Sequence, residues 1–133
     1  MSVGCDLEVI EPHSEAFIED YFTCEEKLRI RNTSDSHRDD VLALFWSAKE
    51  SALKALHEGL RLDTRSVVVS TGDLLDRHGW SPVRVQYERG ASYEGWWQIE
   101  DGAVRTVVAK PSSDPPLRLE ISHYPDECIA HCA

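Results

Sequence analysis

Three carboxylates and two lysines occur in this sequence at spacings that can bring them together. In VGCDLE, Asp6 and Glu8 are two residues apart, so in a strand, where side chains alternate, both carboxylates leave the same face. In FWSAKESALKALHEG, residues 45 to 59, Glu50 and Lys54 are four apart and become neighbours on one side of a helix. By itself that second pair is a solvated ion pair worth on the order of tenths of a kcal/mol. Beside Asp6 and Glu8 it means more. A cluster of three carboxylates is costly unless a hard cation neutralises it, and oxygen ligands with a few retained waters suit magnesium. A bound magnesium invites a phosphate, which Lys49 and Lys54 can meet as point charges.

The elements that must position these groups can be read in chain order. VGCDLEVI, residues 3 to 10, alternates as a short strand with Cys5, Leu7 and Val9 on one face and Asp6 and Glu8 on the other. Ser14 can cap a short helix SEAFIEDYF, and Thr23 with Glu26 has the form of a capping box opening a second helix, TCEEKLRIR. NTSDSHR, residues 32 to 38, is turn-prone and is expected to be a loop. A long helix is expected from about Asp39 to Glu58, with Val41, Phe45, Ala48, Ala52 and Leu56 as its apolar stripe and Gly59 as its stop. Lys49, Glu50 and Lys54 are placed off the centre of that stripe.

Beyond Gly59, SVVVS at 66 to 70 and VRVQY at 83 to 87 are β-branched strands, separated by a segment containing Gly79 and Pro82 that cannot be one continuous element. WWQIE-DG-AVRTVVA is a hairpin whose Asp101-Gly102 pair supplies positive φ angles. Trp96 and Trp97 point to opposite faces, one into the core and the other toward an interface. PSSDPP is a rigid connection to a last edge strand, LRLEIS. The sum is α+β: an antiparallel sheet packed against a long helix.

At 133 residues the chain is expected to be a single domain, 1–133. Hydrophobic residues make up 41% and charged residues 29%, and the mean hydropathy is -0.39, as in ordinary globular proteins. A formal charge of -10 argues against a general nucleic-acid binder. No stretch approaches the roughly 20 apolar residues of a membrane span, and the N-terminus lacks the pattern of a signal peptide, so a cytoplasmic location is expected. Cys5, Cys24, Cys128 and Cys132 fit reduced thiols better than a disulfide framework. The tail brings His123, Cys128, His131 and Cys132 together, but at spacings unlike those of structural zinc sites.

The pairing of G-x-D-x-E (Gly4, Asp6, Glu8) with W-x-x-K-E-x-x-x-K (Trp46, Lys49, Glu50, Lys54) resembles the signature of the 4'-phosphopantetheinyl transferases. The intervening YFTCEE resembles that family's phenylalanine-rich segment, and the likeness runs on through EGLRLDTRSVVV, covering roughly residues 3 to 110. The resemblance implies magnesium-dependent transfer of the phosphopantetheine arm of coenzyme A to a serine of an acyl or peptidyl carrier protein. By motif position, Asp6, Glu8 and Glu50 would hold the metal on the pyrophosphate. Glu50 would also be the base, directly or through a water; Lys54 would serve the departing 3',5'-ADP, and Lys49 would help hold phosphate.

The chain departs from the family in one respect. Its motifs are similar to the second half of the two-domain, surfactin-synthetase-activating type, while its length is that of the holo-acyl-carrier-protein synthase type, which works as a homotrimer. The first-half residues of the larger type, including a histidine and basic side chains for the 3'-phosphate, have no counterpart here. The resemblance therefore implies a homo-oligomer, a trimer before a dimer. Ser122-His123 is similar to a Ser-His pair of the family; His123 is read first as an edge-strand histidine of no special role, and second as a neighbour's residue that supplies the missing histidine. The alternative to such an oligomer is a non-catalytic module that binds coenzyme A or a carrier, or one half of a two-chain transferase. An acidic carrier needs a local basic patch, for which Arg29, Arg31 and Arg38 are the candidates.

Overall fold

The computed structural model describes residues 1–57, 61–72 and 79–117. The elements are β1 (Ser2–Val9), α1 (Glu15–Tyr21), α2 (Cys24–Arg31), α3 (Asp35–Ala55), β2 (Val67–Thr71), β3 (Ser81–Tyr87), β4 (Ser92–Glu100) and β5 (Ala103–Lys110), with a 3-10 turn at Thr64–Ser66 before β2. The five strands form one antiparallel sheet in the order β1-β5-β4-β3-β2. The fold is α+β as expected. Its core fills the space between one sheet face, represented by Val67, Val85, Trp97, Val104 and Val108, and the buried stripe of α3, from Val41 through Phe45 and Ala48 to Ala52.

Local chemistry accounts for most boundaries. The Ser14 side chain accepts from the Phe17 amide at the start of α1, and Thr23 with Glu26 forms the complete capping box of α2. The β4–β5 hairpin turns at Asp101 and Gly102, with φ of 53 and 74, the left-handed pair that matches strand twist in a two-residue turn. Trp97 is buried and Trp96 lies half-buried on the outer face, its Nε1 donating to the Ser113 carbonyl at 3.0 Å.

Two expectations are corrected. The long helix begins at Asp35, inside the segment expected to be a loop, with Ser34 at the N-cap position; an acidic residue in the first turn suits the helix dipole, and Arg38 is tied to Glu15 of α1 at 2.7 Å. Pro82 lies within β3, opposite Trp96. It is tolerated there because β2 pairs with β3 only as far as Val83, so proline's missing N–H breaks no ladder bond on that side. Gly59, the LRLEIS strand beyond Leu117 and the tail residues His123, Cys128, His131 and Cys132 lie outside the described residues.

The expected alternation of β1 holds, and its orientation matters for the site. Val3, Leu7 and Val9 are exposed on the outer face, whereas Gly4 and Asp6 are buried beneath α3 and Glu8 is half-buried there. The acidic face of β1 is therefore the face turned toward the helix.

Candidate functional site

The site forms where α3 crosses β1. Gly4 permits the crossing: a Cβ there would overlap the Ser51 carbonyl oxygen and stand 2.8 Å from the Ala55 nitrogen. Beside this contact, the Ser47 and Ser51 hydroxyls reach the Thr106 hydroxyl of β5 at 2.8 and 2.6 Å, a buried polar seam between helix and sheet. One turn before Glu50, Trp46 packs against Phe17, Tyr21 and Phe22 at centroid distances of 5.0, 5.5 and 6.2 Å. Trp46, Glu50 and Lys54 are spaced by four along one side of α3, on which Lys54 reaches Cys5 and Asp6 of β1.

Asp6, Glu8, Glu50 and Lys54 are brought together. Lys54 Nζ donates to the Cys5 carbonyl at 2.9 Å and to Asp6 Oδ1 at 3.2 Å, and the lysine side chain remains 45% exposed. Asp6 is 8% exposed, and its Oδ2 is buried with no hydrogen-bond partner. The three carboxylates feel one another. Glu8 is pushed up from the ordinary 4.5 to about 7, first by burial, then by a hydrogen bond to Asp6 that it can donate only when protonated, then by the charges of Asp6 and Glu50, with Lys54 opposing. Burial and the Asp6 charge raise Glu50 as well, and Lys54 again opposes.

Lys49 is not part of this cluster, which corrects the expectation that it meets phosphate. Its side chain is fully buried and points away toward α2 and β2. Nζ lies 2.7 Å from Glu26 Oε1 and donates to the carbonyls of Thr64 at 2.8 Å and Val67 at 2.6 Å, so its three N–H groups are all taken. Burial pulls the Lys49 pKa down, and the Glu26 carboxylate opposes that shift. Glu26 is the residue sequence reasoning missed. It appeared only as a capping-box acid, yet it is 1% exposed and also accepts from the Val69 amide at 2.7 Å. A lysine one position from the apolar stripe was the available signal, since such a lysine needs a buried partner.

The proposed basic patch is largely committed too. Arg29 donates to the Thr71 and Gly72 carbonyls at 3.2 and 2.9 Å, Arg31 pairs with Glu19 at 3.2 Å and Arg38 with Glu15. An open groove of about 480 Å³ lies elsewhere on the sheet, lined by Arg84, Trp96, Ser112 and Ser113 among others. Among the described residues, the carboxylate cluster draws its charged side chains from β1 and α3: Asp6 and Glu8 from the strand, Glu50 and Lys54 from the helix.

The long helix and the edge strand thus carry three carboxylates and a lysine to one place. Residues 2–96 match the model of the 4'-phosphopantetheinyl transferase superfamily, and the chain belongs to that superfamily. A comparison with curated proteins gave no match. Membership supports a transferase that uses coenzyme A, and the family typically works with a metal. Among the described residues no three His, Cys, Asp or Glu side chains already stand in a coordinating arrangement. The donor set nonetheless fits a hard divalent cation: it consists of oxygens alone, it repels itself, and Asp6 Oδ2 is buried without a donor. No helix among the described residues is long and apolar enough to cross a membrane.

Proposed function

We propose that this protein transfers the 4'-phosphopantetheine arm of coenzyme A to a serine hydroxyl of an acyl or peptidyl carrier protein, with magnesium at Asp6, Glu8 and Glu50. The observation that carries this reading is the convergence of those carboxylates and Lys54, within a chain of this superfamily. The serine oxygen forms a bond to the β-phosphorus of coenzyme A, the bond from that phosphorus to the bridging oxygen breaks, and 3',5'-ADP leaves. Magnesium, when bound, neutralises charge on the pyrophosphate.

Glu50 takes the serine proton, directly or through a water. Lys54, half-exposed and holding only two acceptors, has an N–H left for the departing phosphate oxygen. The described residues contribute charged groups to the cluster from α3 and β1 alone, and the site is completed by a second copy, in a trimer or a dimer.

Incubation with coenzyme A, magnesium and a panel of apo carriers is expected to add the mass of the phosphopantetheine arm, and Glu50→Gln to slow that transfer by about 10²-fold or more. Tight binding of coenzyme A with no modification of any carrier would leave only a binding module. Activity appearing only with an added partner chain would make this half of a two-chain enzyme.

A further inference from the structure

Glu50 is bonded through the backbone to Lys49, and the two side chains leave α3 in different directions, one toward β1 and the other toward α2 and β2. A helix can satisfy both only at one roll angle about its axis. Lys49 defines that angle from a fully buried position, through Glu26 Oε1 at 2.7 Å and the carbonyls of Thr64 and Val67 at 2.8 and 2.6 Å, with its Nζ 5.7 Å from the Phe22 ring centroid. Glu26 is itself held by the Thr23 amide at 2.8 Å and the Val69 amide at 2.7 Å. The web therefore ties α2, the 3-10 turn and β2 to a single position on α3.

We propose that the buried Glu26–Lys49 pair is a positioning device: it fixes the roll of α3, and with it the direction in which Glu50 meets Asp6 and Glu8. Lys49 then acts on the site only through Glu50 and touches no substrate. This rests on the reading of Asp6, Glu8 and Glu50 as a cation site. The pair also explains why a charge is kept where an apolar residue would fill the space. Three fixed acceptors specify where a lysine nitrogen sits, whereas a methionine would leave two carbonyls without donors and Glu26 without its countercharge.

The test begins with calorimetric titration of the unsubstituted chain with magnesium or manganese alone, then with coenzyme A. Failure of both sinks the cation-site reading, and this inference with it. Where both bind, Lys49→Met is expected to weaken the cation by about tenfold or more, as loss of an outer support for a ligand does. The KM for coenzyme A at saturating magnesium should stay within about twofold of the parent. Lys49→Met with Glu26→Gln, which removes the stranded charge, is expected to regain thermal stability and part of the cation affinity. If Lys49→Met does not fold, Glu26→Asp keeps both charges at a shorter reach and is measured in the same way. Unchanged cation affinity with a KM for coenzyme A raised about tenfold would make Lys49 a phosphate contact and overturn the proposal. Lower thermal stability with cation affinity and both kinetic constants unchanged would make the pair purely structural, and would overturn it equally.

Discussion

Glu8 is the residue whose surroundings have the most direct measurable consequence. In the folded chain it holds its proton up to about pH 7, against 4.5 when unfolded, so between those values the folded state binds more protons and stability falls as pH rises. Glu50 shifts in the same direction; Glu19 and Asp63 shift oppositely but are exposed. The metal-free chain is therefore expected to melt a few degrees lower at pH 8 than at pH 5. Glu8→Gln should flatten that slope, and the rise in Tm on adding magnesium should be larger at pH 8. A Tm that climbs from pH 5 to pH 8 without metal would contradict the carboxylate cluster. Asp6, Glu8, Glu50 and Lys54 were legible in the sequence because each pair depends on the local period of one strand or one helix. Glu26 and Lys49 were not, because their pairing is tertiary: α2 and α3 must pack before the capping-box acid and the helix lysine can meet, and only burial shows that Lys49 has no N–H left for phosphate.

Among the elements, the contact of α3 with β1 governs the site, and Gly4 governs that contact. Gly4→Ala places a methyl group into the Ser51 carbonyl and close to the Ala55 nitrogen, both backbone atoms that cannot rotate aside. It is expected to cost about 1–3 kcal/mol, and by pushing α3 off β1 to weaken cation binding alongside. Gly102→Asn, at a position with φ of 74 and open space around a Cβ, should leave both nearly unchanged, because asparagine tolerates that conformation. Calorimetry and thermal unfolding of the two variants separate a close-approach glycine from a turn glycine; equal behaviour would remove Gly4 from the positioning of the site. The hairpin and both short helices were legible because turn and cap chemistry is written in adjacent residues. The start of α3 and the place of Pro82 were not: a polar segment opens a helix whose buried stripe begins only at Val41, and a proline is admitted to a strand where its neighbour β2 has already ended.

At the scale of the whole molecule, the proposed oligomer has two chains building each site. The described residues supply one wall of carboxylates and a lysine, β1 is an edge strand, and its outer face exposes Val3, Leu7 and Val9, an apolar edge that a soluble protein usually blunts or covers. If Glu50 comes from one chain and His123 from its neighbour, Glu50→Gln and His123→Ala are each inactive alone but inactivate different contributors to the same site. Mixed in equal amounts and allowed to exchange subunits, they are expected to recover about a quarter of the parent activity, the chance that a site draws both intact groups in any closed ring. Specific activity should also fall when the parent protein is diluted below the concentration at which light scattering shows dissociation. No recovery in the mixture while the parent stays fully active as a monomer would mean that a single chain completes its own site. Recovery without a drop on dilution would mean a tightly held oligomer that exchanges slowly.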